Sequence, residues 1–262
     1  MSTALAVVTG ASSGIGLELA RLFAADGYDL VVVADEEEID DAAAELSTTG
    51  SAVEAVRVDL RDADAVRQVY RVISAGGRVP AAVALNAGIG RAGRFVDGEL
   101  SADLDIIDVN VRSTVALAKL VLRDMASRDQ GRALFTSSIV ATMPGSYQTM
   151  YNASKSFIQS FAEGLHDEFR GSGVSVTALM PGPTDTAFFR RAAMIDTPLG
   201  RLPFKDDPAK TARQGYLAMM RGEQKVVASS MTSKLMGAVA HVLPDSVKAT
   251  ANRLMVKPFG DN

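Results

Sequence analysis

The feature that most constrains this chain is a strand, a glycine-rich turn and a helix in immediate succession near the N-terminus. Leu5 to Val8 is a short apolar run of the kind buried in a parallel sheet. Thr9-Gly10-Ala11-Ser12-Ser13-Gly14-Ile15-Gly16 follows. From there to about Ala25, Ile15, Leu19, Leu22 and Phe23 share one helical face, and Asp26-Gly27 suits a stop. The pattern then repeats. Strand-like runs at Leu30–Ala34, Val53–Val58, Ala81–Leu85, Arg132–Thr136, Val174–Met180 and Lys225–Ala228 alternate with helical segments along the chain. The expected fold is α/β: one Rossmann-like, doubly wound parallel sheet of about seven strands with helices on both faces. A length of 262 residues suits such a sheet as a single domain over residues 1–262.

Composition removes several classes of function. The chain has no cysteine, which excludes disulfides, thiolate catalysis and cysteine-based metal sites. His166 and His241 are far apart and are expected to be surface or packing residues, so no metal site is expected. The formal net charge of −4 gives no electrostatic reason for a nucleic-acid partner. There is neither a basic n-region with a small-residue cleavage site nor an apolar run near the ~20 residues that span a bilayer. The expected address is the cytoplasm.

Strand ends carry the chemistry. Glycines in the first turn let backbone N–H groups of Gly10, Ser12, Ser13, Gly14, Ile15 and Gly16 approach a pyrophosphate and aim a helix N-terminus at it. The spacing Gly-x-x-x-Gly-x-Gly differs from the usual Gly-x-Gly-x-x-Gly. The second strand ends in Asp35-Glu36-Glu37-Glu38. Asp35 is placed to bind adenosine ribose hydroxyls, or these acids simply start the helix running to Leu46. Four carboxylates repel a 2′-phosphate, and no Arg or Lys lies between Arg21 and Arg57 to receive one. NAD is therefore expected over NADP. The third strand ends at Asp59-Leu60, where Asp62 as N-cap leaves Asp59 free for an adenine edge. Asn86-Ala87-Gly88 closes the fourth strand with small residues suited to close backbone approach.

A helix over about Asp103–Met125 is interrupted by Asn110, whose amide competes for backbone hydrogen bonds and so marks a kink or a site. Ser137-Ser138 ends the fifth strand, residues 139–150 read as a loop, and a helix runs from near Tyr151 to about Arg170. Its stripe is Phe157, Ile158, Phe161 and Leu165. Tyr151 and Lys155 stand at i and i+4 on one face, where a cation close to a phenol lowers its pKa. The sixth strand stops at Pro181-Gly182-Pro183-Thr184-Asp185-Thr186. Residues 187–208 have no clear period and read as a mobile or excursion loop, before a helix at Pro208–Met220.

Taken in order, Thr9-Gly10-x-x-x-Gly14-x-Gly16, Asp59, Asn86-Ala87-Gly88, Asn110, Ser138, Tyr151-x-x-x-Lys155 and Pro181-Gly182 resemble the short-chain dehydrogenase/reductase family over roughly residues 5–228. Leu85 departs from it, since many members carry a second Asn there. The resemblance implies hydride transfer between a nicotinamide and an alcohol or carbonyl carbon. Tyr151 is then the general acid or base. Lys155 binds the nicotinamide ribose and depresses the Tyr151 pKa, and Ser138 binds the substrate oxygen. Asn110 holds the kink and a water linking Lys155 to solvent. Pro181, Gly182, Thr184 and Thr186 dock the carboxamide side. It also implies a substrate loop over residues 186–206, whose Phe188, Phe189, Met194, Ile195 and Leu202 fit an apolar or amphipathic ligand or pack on themselves. A homodimer or homotetramer built on the helices of Asn110 and Tyr151 is implied as well. A non-catalytic dinucleotide sensor of the same fold is the competing expectation, and the presence of Tyr151, Lys155 and Ser138 speaks against it. The tail, residues 229–262, reads as two short amphipathic helices. Leu235, Met236, Val239, Val242 and Leu243 lie on the first, and Val247, Leu254 and Met255 on the second. With Lys234, Lys248, Arg253 and Lys257 they suit a membrane surface, a neighbouring subunit or the chain's own active-site mouth.

Overall fold

The structure is a computed structural model, in which residues 3–203, 205–228 and 244–257 are described. Seven parallel strands form one sheet in the order β3-β2-β1-β4-β5-β6-β7. They are β1 (Leu5–Thr9), β2 (Asp29–Ala34), β3 (Val53–Arg57), β4 (Ala82–Leu85), β5 (Gly131–Thr136), β6 (Val174–Pro181) and β7 (Lys225–Ala228). Strand order reverses between β1 and β4, which lie side by side with Val7 opposite both Val31 and Val83. Beyond the carboxyl ends of such a pair an open α/β sheet has its ligand crevice.

The period of two along a buried strand divides the sheet into two cores. Val7, Val31, Val83 and Phe135 face one side, beneath α3 (Ala63–Ile73), α5 (Thr114–Ser127) and α6 (Thr149–Glu168). Ala6, Val8, Val32 and Leu134 face the other, under α1 (Gly14–Ala25), α2 (Glu38–Ser47) and α8 (Pro208–Met220). Of the expected α1 stripe, Leu19 and Phe23 are fully buried while Ile15 and Leu22 pack at its margin. Caps follow the sequence: the carboxylates of Asp62 and Asp207 accept from the N–H of Asp64 and Ala209, at 2.9 and 2.8 Å.

Three segments differ from expectation. The helix containing Asn110 begins earlier, as α4 (Leu100–Ile106), and reaches α5 through a π-helical stretch at Ile107–Ser113. Phe157 is 44% exposed; the α6 core face is Ile158, Ala162 and the flanks of Phe161 and Leu165, and Phe157, one residue off that face, stacks on Phe161. Residues 187–208 are not structureless. They include α7 (Phe188–Arg191), and Phe189, Ala192 and Met194 are buried with Val256 of α9 (Asp245–Val256) in a third, small core. The first expected tail helix and His241 lie outside the described residues. The second, α9, covers the loop of its own chain: Leu199 N–H donates to the Met255 carbonyl and the Asn252 amide to the Ser146 carbonyl, both at 2.8 Å. Val247 and Leu254 remain on its exposed side. No helix among the described residues is long and apolar enough to cross a membrane.

Candidate active site at the strand ends

The crevice is pinned by Thr9, a residue to which the sequence assigns no role beyond its motif. Its hydroxyl accepts the N–H groups of Asn86 and Ala87 at 3.0 Å, and the Asn86 amide in turn reaches the Thr9 carbonyl at 3.2 Å. Thr136 at the end of β5 donates to the Asn86 side-chain carbonyl at 3.0 Å. Three neighbouring strand ends are thus laced together by neutral hydrogen bonds.

On one side lies the glycine turn. A Cβ on Gly16 would stand 1.9 Å from the Gly10 carbonyl, so only glycine admits this crossing of turn and helix. Ser13 precedes α1 with no side-chain cap, and no acid occupies the first turn. The N–H groups there are left to a ligand and the dipole is uncompensated, which fits a diphosphate. Thr186 closes over this turn, its methyl 2.9 Å from where a Gly14 Cβ would be. Thr184 is buried and donates to the Gly182 carbonyl at 2.9 Å, while Gly182 N–H and Pro181 stay tied to Ala228 of β7. Leu60 is buried beyond β3.

On the other side, α6 carries Tyr151 and Lys155 one turn apart, as their spacing requires. The Lys155 ammonium is 5.8 Å from the Tyr151 ring centre and donates to the Thr136 carbonyl at 2.8 Å. It stands 3.0 Å from where a Gly88 Cβ would be, which places it at the end of β4. Ser138 is buried, its hydroxyl accepts the Val140 N–H, and it lies close enough to Tyr151 to favour the phenolate. Ser137 donates to the Lys155 carbonyl at 2.9 Å.

Asn110, 1% exposed, explains its own awkward place in a helix. Its amide brackets Ile89, accepting that N–H at 2.8 Å and donating to that carbonyl at 2.9 Å. It also donates to the Ser154 hydroxyl at 2.9 Å, and Ser154 donates to the Tyr151 carbonyl. The π turn is what lets one helix side chain reach the β4 loop and α6 together.

The electrostatics correct one expectation. Burial pushes the Tyr151 phenol up to about 12, against the opposing hydrogen bond from Ser138, and burial draws Lys155 down to about 8. Tyr151 keeps some accessible ring surface, but enough protein surrounds it to desolvate a phenolate. At nearly 6 Å and tied to Thr136, the ammonium does not lower the Tyr151 pKa; desolvation wins.

The adenosine side brings further corrections. Asp59 is not free: it accepts twice from the Arg61 side chain and once from the Arg61 N–H. Asp35 is exposed, whereas Glu36 turns inward, its carboxylate 2.5 Å from the Ser12 hydroxyl. Arg191 of α7 reaches back to Glu36 at 2.7 Å and donates to Ser13 at 2.9 Å. A cation thus arrives at the end of β2 from 155 positions further along the chain (191 − 36), where no local motif announces it. Phe188 covers Tyr151, with ring centres 5.1 Å apart, and Phe189 and Met194 face the third core instead of the crevice.

Comparison with known proteins places the chain in a family. The sequence model of the short chain dehydrogenase family matches residues 4–194. Oxidoreductase UcpA of Salmonella typhimurium is 36% identical over 208 residues, covering 78% of this chain and 75% of that protein. A short-chain dehydrogenase from Sphingobium yanoikuyae, solved in complex with NADPH, superposes with a TM-score of 0.81 at 28% identity, covering 90% of this chain and 92% of that one. One from Burkholderia phymatum, solved with NAD, shares the fold at a TM-score of 0.84 and 20% identity, over 95% of each chain. This chain belongs to the short-chain dehydrogenase family and is an NAD(P)-dependent oxidoreductase.

Proposed function

We propose that the enzyme interconverts an alcohol and a carbonyl compound, with Tyr151 as acid and base, and that NAD is the preferred cofactor. One observation carries this reading: Tyr151, with the Ser138 hydroxyl beside it and Lys155 one turn away, lies across the β4 end from an uncapped glycine turn. The nicotinamide, when bound, supplies or accepts the hydride. Ser138 donates to the substrate oxygen and fixes its distance from Tyr151. The protonated phenol gives its proton to that oxygen during reduction, while oxidation requires the phenolate and so quickens as pH rises. Lys155, held at the Thr136 carbonyl, would use its remaining N–H donors to hold the nicotinamide ribose hydroxyls, and its charge would then favour the phenolate. Asn110 holds the Ile89 loop and, through Ser154, the first turn of α6. Ser12, Ser13, Gly14, Ile15 and Gly16 hold the diphosphate, whereas Gly10, whose N–H is spent on the Val33 carbonyl at 2.7 Å, shapes the turn without donating to it. Asn86, Ala87 and Gly88 line the cofactor's path, and Pro181, Gly182, Thr184 and Thr186 hold the carboxamide side. The acids after β2 favour NAD, although the solved relatives carry either cofactor.

Residues 186–206 act as the substrate loop. Substrate must displace the Phe188 ring from Tyr151, so an aromatic wall faces it and an apolar or amphipathic carbonyl compound fits. The apolar, exposed Phe95 and Val96 before α4, Leu100 and Leu104 on it and Ile107 just after it, with Phe157 on α6, suit a second copy of the chain. Sedimentation velocity at micromolar concentration is expected to give a dimer or tetramer, and a monomer would remove that part of the reading.

The test of the chemistry is Tyr151→Phe. With a panel of ketones, sterols and sugar or acyl carbonyls, turnover is expected to fall about 10²- to 10⁴-fold. The Kd for NADH should move by no more than about tenfold, because a lost hydroxyl contact is worth roughly 0.5–1.5 kcal/mol. Equal turnover by parent and variant would remove Tyr151 from its role.

A further inference from the structure

Arg191 occupies an unusual place. It is a residue of the substrate loop, yet its guanidinium bridges Glu36, at the end of β2, and Ser13, in the glycine turn. Glu36 follows Gly16 by 20 positions and is the acid whose carboxylate turns onto that turn, through Ser12. An acid at this spacing receives the 2′-hydroxyl of the adenosine ribose, and a nearby arginine is what accommodates a 2′-phosphate instead. Here both groups are present, and they hold each other. The other cation nearby, Arg57, meets Glu37 at 3.9 Å with both side chains largely exposed, a weak pairing.

We propose that Arg191 is the residue through which the substrate loop reads the 2′ position of the cofactor, with Glu36 as its counter-ion when the phosphate is absent. This rests on the nicotinamide-cofactor reading above. Glu36 spends one oxygen on Ser12 and the other on Arg191, and each keeps a lone pair for a ribose hydroxyl. A 2′-phosphate would face that carboxylate, and it gains the Arg191 fork only by displacing Glu36 from it. Cofactor preference is therefore a competition for one guanidinium. Because Arg191 and Thr186 both seat the loop on the glycine turn, the outcome of that competition also changes how the loop is held down.

The experiment measures Kd for NADH and NADPH by titration calorimetry on the full chain and on Glu36→Gln, Arg191→Gln and the double variant. Glu36→Gln should tighten NADPH about 2- to 5-fold relative to NADH, the scale of one partly exposed charge contact. Arg191→Gln should move the ratio the other way by about the same factor. The double variant should lose the gain seen in Glu36→Gln. A double variant that keeps the full gain, or an Arg191→Gln ratio equal to the parent's, overturns the proposal. A parent that prefers NADPH, with the preference reversed by Arg191→Gln, supports it while overturning the NAD preference. A parent that binds neither dinucleotide overturns the cofactor reading and this proposal with it.

Discussion

The two ends of the crevice are built from different materials. At the proposed catalytic end Asn110, Ser138, Ser154 and Lys155 are all buried, and Asn110, Ser154 and Lys155 are tied to one another or to backbone by hydrogen bonds of 2.7–2.9 Å. At the adenosine end Glu36, Arg191, Asp59 and Arg61 meet as partly exposed ion pairs. Buried hydrogen bonds cannot be exchanged for water without leaving an unpaired group, so that end is rigid and expensive to alter. Exposed ion pairs are screened and cost little to swap, which suits a surface that must trade one anion for another. On the proposed reading, fixed geometry would serve proton transfer and adjustable charge would serve cofactor choice, at opposite ends of one cleft.

The strongest way to break this contrast is Asn110→Ala. It strands the Ile89 N–H and carbonyl and frees Ser154, so urea denaturation should show a loss of about 2–3 kcal/mol. Turnover should fall as well, at least about tenfold if Tyr151 and Ser138 drift from their common geometry. Glu36→Gln, by comparison, should leave the urea midpoint within about 0.5 kcal/mol of the parent, as for a surface ion pair. Equal destabilisation by the two variants would mean that the ends are not built differently after all.

The same contrast governs what can be read in the sequence. Gly10, Gly14 and Gly16, Tyr151 and Lys155, and the strands themselves announce their places because local spacing determines them: a turn, one helical turn, a buried run. Asn110 can be singled out because asparagine fits a helix interior poorly, and the π turn is the reason it is there. The ion pairs cannot be read this way. Asp59 accepts the Arg61 N–H in a local turn, but it is the reach of the Arg61 side chain that occupies its carboxylate, and Arg191 meets Glu36 only after the loop has folded over the glycine turn. The loop itself lacks a period because its buried residues Phe189, Ala192 and Met194 pack against the distant α9 and not along one helix. The Tyr151 pKa escapes the sequence for a related reason. Sequence spacing gives the distance to the ammonium but not the desolvation, and here desolvation is the larger effect.

That desolvation can be measured through Lys155. Its folded pKa is about 8 against an ordinary 10.5, because a buried ammonium has lost water without gaining a carboxylate. Between those values the unfolded chain binds more protons than the folded one, so stability rises with pH across the window. At roughly 1.4 kcal/mol for each pH unit between the two values, the whole rise is on the order of 3–4 kcal/mol. Tyr151 acts in the opposite sense, but only from about pH 10 to 12, where the folded chain holds the phenolic proton longer. Urea titrations between pH 7.5 and 9.5 therefore isolate the lysine. Over that range the parent should gain about 1–2 kcal/mol relative to Lys155→Met, which has no proton to lose. The methionine variant also forfeits the hydrogen bond to the Thr136 carbonyl, but that cost does not change with pH and cancels from the slope. Parallel stability curves would show that Lys155 keeps its water, and that the catalytic end is as open to solvent as the adenosine end.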